Sequence, residues 1–133
     1  MTTPNVQSTN SPWLLVIDDD PEVRMLLSEL FAREGFRVEV ATDGASAILF
    51  LEQHEPPSAI IVDLLMPGIL GSSVLAYLGS RPSLENVPVA IVSGSPHLAP
   101  RGYQLFQKPL KFAPLLEFAR KACDSPAPVS VIL

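Results

Sequence analysis

Four short apolar runs in this chain each stop at a polar residue, and that punctuation constrains the fold more than any other feature. Residues 13–17 run into Asp18 and Asp19, residues 59–62 into Asp63, residues 89–92 into Ser93, and residues 103–107 into Lys108. The first three runs are unbroken, and apolar runs of this length suit strands covered on both faces, as in a parallel sheet. In such a sheet the carboxyl ends of the strands face one crevice, so residues distant in sequence converge on one small volume. Three carboxylates facing one ammonium and one hydroxyl there would form a site for a divalent cation and a phosphoryl group.

The remaining segments supply the helices of an α/β alternation. Residues 13–18 read as a buried strand. Asp20 and Pro21 then look like a helix cap and first helical position, ahead of a stripe at Val23, Leu26, Leu27, Leu30 and Phe31 that ends at Gly35. Phe36 to Ala41 alternates as a half-buried strand, and Asp43-Gly44 opens a second helix expected to turn Ala45, Ile48 and Leu49 inward until Pro56-Pro57 closes the unit. Residues 58–63 form a third strand, followed by a Met66-Pro67-Gly68 turn. A third helix runs from Gly71 to about Ser80 with Val74, Leu75 and Leu78 on one face. Residues 87–93 and 103–107 are the fourth and fifth strands, and Phe112, Leu115, Leu116, Ala119 and Ala122 mark the last helix. The expected fold is a three-layer α/β sandwich with right-handed crossovers.

Length and composition fit one domain, since 133 residues, 47% of them apolar, can fill a single core. Residues 12–124 form that domain, between an N-terminal segment (1–11) expected to be mobile and a Pro-rich C-terminal tail (125–133). A formal charge of −5 without a basic cluster argues against nucleic-acid binding. Cys123 is the only cysteine, which excludes an internal disulfide and a cysteine-built zinc site. No stretch reaches the ~18 apolar residues of a membrane span and the N-terminus lacks a signal pattern, so a cytoplasmic protein is expected. Asp43 reads as a helix cap, and His54 and His97 as surface residues.

Taken together, Asp18-Asp19, the block Asp63-Leu64-Leu65-Met66-Pro67-Gly68 with Gly71, the stretch from Pro88 to Gly94, and Lys108-Pro109 resemble the response-regulator receiver domains of two-component signalling, over roughly residues 12–123. The resemblance implies a flavodoxin-like five-stranded sheet in the order 2-1-3-4-5. It implies that Asp63 accepts a phosphoryl group from a sensor histidine kinase or histidine phosphotransfer protein. Mg²⁺ would be held by Asp19 and Asp63 directly, Asp18 largely through water, and the carbonyl of Leu65. Ser93 and Lys108 would each bind a phosphoryl oxygen. The chain is then expected to be a stand-alone response regulator that signals by docking to another protein, with homodimerisation open. It is a phosphoacceptor, not an enzyme acting on other substrates.

The output side departs from the family pattern. Receivers usually place an aromatic three residues before the lysine, where this chain has Leu105. Tyr103 shares the face of Leu105 on a strand, whereas Phe106 points to the opposite face. The small residue after the hydroxyl position, commonly alanine, is Gly94. Residues 94–107 must hold two loops and a strand, and they include Pro96, Pro100 and Gly102, so the fourth helix is expected to be short or missing. Two other readings stay open: a receiver-fold interaction module that works without phosphorylation, and a haloacid-dehalogenase-like phosphatase built on Asp18 and Asp20.

Overall fold

A computed structural model describes residues 12–63, 71–94 and 103–124. Its elements are β1 (Trp13–Ile17), α1 (Pro21–Arg33), β2 (Arg37–Ala41), α2 (Gly44–Gln53), β3 (Ala59–Asp63), α3 (Gly71–Ser80), β4 (Val89–Ser93), β5 (Gln104–Gln107) and α4 (Phe112–Asp124). The strands form one parallel sheet in the order β2-β1-β3-β4-β5, as the resemblance implied. Every residue of β1, β3 and β4 is buried, which is why these strands read as unbroken apolar runs. The edge strands β2 and β5 are partly exposed and mix polar with apolar residues.

Alternation along the strands feeds two cores. Leu15, Ile17, Ile60, Val62 and Ile91 join Val74, Leu75 and Leu78 of α3 on one face. Leu14, Val16, Ile61 and Val92 join Leu27 and Phe31 of α1 and Leu115 and Phe118 of α4 on the other. Phe31 is the hub of this second core, with ring centroids 5.7 Å from Phe36 and 4.9 Å from Phe112.

The helix ends follow local chemistry. Asp20 accepts the Glu22 N–H at 2.9 Å ahead of Pro21, and Asp43 accepts the Ser46 N–H at 2.8 Å, so both are N-caps as expected. Gly35 follows α1 at φ 95°, a left-handed conformation that closes the helix through its N–H to the carbonyl of Ala32 at 3.0 Å.

Three inward assignments need correction. Leu26 is 54% exposed, because α1 meets the sheet through Leu27 and Phe31 and leaves Leu26 off that line. On α2, Ala45 and Leu49 face outward and Ile48 is half-buried, while Gly44, Ala47 and Leu51 are buried. That helix is apolar nearly all round. The strands are also shorter than expected, and Val87, Tyr103 and Ser58 lie just outside them. Phe118, missing from the expected stripe of the last helix, is buried with its ring 5.8 Å from that of Phe106.

The expected short fourth helix falls on residues 95–102, outside the described residues, although β4 and β5 leave only 94–103 for the whole connection. Residues 1–11 and 125–133 and His97 also lie outside them. No helix among the described residues is long and apolar enough to cross a membrane.

Candidate functional site

Sheet register assembles the site at the carboxyl edge. Ile17 pairs with Val62, which sets Asp18 level with Asp63, and Asp63 in turn pairs with Val92. Ser93 is one step further along β4 and pairs with Gln107, so Lys108 is one step beyond again. The Lys108 N–H continues this ladder to the carbonyl of Ser93 at 3.0 Å. The same register that aligns the apolar residues therefore collects Asp18, Asp19, Asp63, Ser93 and Lys108, whose sequence numbers span most of the chain.

Asp18, Asp19 and Asp63 each bring a carboxylate oxygen to within 4.8 Å of the others. Asp18 and Asp63 are both 4% exposed and Ser93 1%, whereas Asp19 is open to solvent. Lys108 Nζ donates to Asp63 Oδ2 at 3.2 Å, with the lysine side chain 41% exposed. An all-oxygen cluster of two buried carboxylates and one exposed carboxylate fits a hard divalent cation that retains water on its open side. The Lys108–Pro109 peptide is cis.

The loop after β1 is held by its own polar groups. Asp18 N–H donates to the carbonyl of Ala41 at 3.2 Å. Asp20 N–H donates to Asp18 Oδ1 at 2.9 Å, and Arg24 Nη1 donates to the Asp18 carbonyl at 2.8 Å. Asp20 is turned to the helix cap and is not a member of the acidic cluster. Sequence reasoning missed Arg24, which carries no signal beyond being a base in the first helix.

Burial above all, with added repulsion from Asp63 and Asp19, holds the Asp18 carboxyl above the usual carboxylate range; the Asp20 N–H and the Lys108 charge act in the opposite direction. The folded protein thus binds this proton more tightly than the unfolded chain does. The metal-free fold should therefore lose stability as pH rises from the ordinary aspartate value through the raised one. Asp18→Asn keeps the acceptor for Asp20 N–H and removes the charge. It is expected to raise the metal-free melting temperature at pH 7 and to leave it unchanged below the ordinary aspartate range. Thermal melts across pH check this, and an equal shift at both ends would refute it.

The other candidates separate cleanly. The Leu65 carbonyl falls among residues 64–70, outside the described residues. Tyr103 and Leu105 are exposed, at 36% and 39%, while Phe106 turns to the α4 side and packs on Phe118, as the strand alternation predicted. Gly94 is exposed, and a Cβ built there would meet nothing within 4 Å, so nothing in the described structure demands glycine in place of alanine. His54 is exposed and stacks on Phe50 with ring centroids 3.9 Å apart, remote from any described acidic cluster. Cys123 is half-buried against the α1–α4 core.

Residues 14–109 match the response regulator receiver domain family. The chain is 29% identical over 109 residues to protein Rrf1 of Nitratidesulfovibrio vulgaris, covering 80% of this chain and 77% of that protein. It is 39% identical over 83 residues to the transcriptional regulatory protein PrrA of Mycobacterium tuberculosis, covering 62% of this chain but only 34% of PrrA. The receiver domain of the sensor histidine kinase PA1611 from Pseudomonas aeruginosa, solved with a magnesium ion in its active-site cleft, superposes with a TM-score of 0.77 at 21% identity over 86% of this chain and 99% of that one. Fold, acidic cluster and family match agree: the chain belongs to the response regulator receiver domain family, the phosphoacceptors of two-component signalling.

Proposed function

We propose that Asp63 is the phosphoacceptor of this domain and that Asp18, Asp19 and Asp63 hold the Mg²⁺ on which transfer depends, together with the Leu65 carbonyl. The observation that carries this reading is the meeting of three carboxylates within 4.8 Å, one of them bonded to Lys108 Nζ at 3.2 Å. A carboxylate oxygen of Asp63 attacks the phosphorus of a phosphohistidine whose other ring nitrogen carries a proton; the new O–P bond forms as the P–N bond breaks, the electron pair stays on the ring, and neutral imidazole leaves. Bound among the carboxylates, Mg²⁺ supplies charge neutralisation for the phosphoryl oxygens. Lys108, which already reaches Asp63, would take one phosphoryl oxygen, and the Ser93 hydroxyl would take another. The donor is a sensor histidine kinase or histidine phosphotransfer protein, and the output is docking to a protein partner in the cytoplasm. The domain catalyses only its own phosphorylation and dephosphorylation.

Incubation with acetyl phosphate and Mg²⁺, followed by intact mass and peptide mapping, tests the reading. One phosphoryl group on Asp63, lost when EDTA is present from the start, is expected. No adduct, or an adduct mapped to another residue, would overturn the assignment.

A further inference from the structure

Arg24 lies on α1, outside the acidic cluster, yet its Nη1 reaches back to the main-chain oxygen of Asp18 at 2.8 Å. That carbonyl lies beyond the last paired residue of β1, in a residue that is 4% exposed, so it needs a donor from elsewhere. The guanidinium gives it a charge-assisted bond. Asp18 is then fixed on three sides: its N–H to Ala41, its carboxylate to the Asp20 N–H, and its carbonyl to Arg24. The carbonyl belongs to the peptide that joins Asp18 to Asp19. A change of ψ at Asp18, which turns this peptide plane and carries the next residue with it, would swing the Asp19 side chain, the exposed member of the cluster, away from Asp63.

Resting on the cation-site reading above, we infer that Arg24 is a positioning residue for that site, a clamp on the Asp18–Asp19 peptide that keeps both carboxylates aimed at Asp63. Two effects of Arg24 on a bound cation have opposite signs. As a nearby positive charge it repels the cation, so its removal would tighten binding. As a clamp it removes freedom that the ligands otherwise lose on binding, so its removal would weaken binding. The guanidinium faces a carbonyl at 2.8 Å, and no bond from it to a carboxylate of the cluster is seen among the described residues, which favours the clamp.

The test uses the full chain with Arg24→Met, which keeps an unbranched apolar stem without donors, and Arg24→Lys, which keeps the charge without the planar fork. Mg²⁺ dissociation constants come from the concentration dependence of the melting temperature. Arg24→Met is expected to weaken Mg²⁺ about tenfold, the scale on which outer-shell partners act, with Arg24→Lys between it and the unsubstituted protein. The half-saturating Mg²⁺ for acetyl phosphate labelling should rise by the same factor, while the rate at saturating Mg²⁺ stays within about twofold. If Arg24→Met melts too low to titrate, Arg24→Lys decides alone, because the charge is retained and only the clamp predicts weaker binding. A normal Mg²⁺ response in the unsubstituted protein with unchanged or tighter binding in the variant overturns this inference alone. No Mg²⁺ response in the unsubstituted protein overturns the cation site itself, and the inference with it.

Discussion

Asp63→Asn is expected to abolish the phosphoryl adduct completely and, in the same molecule, to raise the melting temperature of the metal-free protein. The first effect follows from chemistry, since an amide in that place offers no carboxylate to form the acyl phosphate. The second follows from crowding. Asp63 is one of the charges that hold the Asp18 carboxyl above its usual range, so removing it relieves a repulsion inside a buried site. The lost attraction to Lys108 is the smaller term, because that lysine is 41% exposed and its pairing is screened by solvent. Stabilisation by Mg²⁺, about 2.7 kcal/mol at a hundredfold excess over the dissociation constant, should shrink sharply in the variant. Intact mass and thermal melts with and without Mg²⁺ read all three. An adduct of full stoichiometry on Asp63→Asn would refute the acceptor, and a lower metal-free melting temperature would refute the electrostatic account.

Phe31→Ala is expected to cost about 3–5 kcal/mol of folding free energy, against a total of roughly 5–15 kcal/mol for a domain of ordinary stability. Phe31 is fully buried and joins three elements, touching Phe36 ahead of β2 and Phe112 on α4. Its removal leaves a cavity that no single neighbour can fill, since the flanking rings approach it edge-on from different elements. Leu26→Ala, five residues away on the same helix but 54% exposed, should cost well under 1 kcal/mol by comparison. Urea titration of both variants separates them, and similar midpoints would show that the α1 face has been misassigned.

How much of this was legible in the sequence depended on how many faces of each element are covered. β1, β3 and β4 are covered on both sides, so their polar end residues stood out against unbroken apolar runs, and the candidates Asp18, Asp19, Asp63 and Ser93 were read from them. Asp20 was legible as a cap because a proline follows it and its competing role as a ligand had no comparable local signal. α2 was misread for the opposite reason: with Ala45, Ala47, Ile48, Leu49, Phe50 and Leu51 nearly continuous, no periodicity marks the inward line, and only contact with the sheet selects Gly44, Ala47 and Leu51. Arg24 was invisible because its partner is a backbone carbonyl, and backbone acceptors carry no residue identity.

The shared register of core and site makes function a reporter of threading. On β3, Ile60 and Val62 enter one core while Ala59 and Ile61 enter the other, and Asp63 is the next residue in that count. A slip of one residue would exchange the two sets and carry Asp63 out of line with Asp18. A mis-threaded molecule therefore cannot bring Asp63 level with Asp18, and, with Asp63 as the proposed acceptor, the fraction that takes a phosphoryl group sets a lower bound on the fraction whose strands are in native alignment.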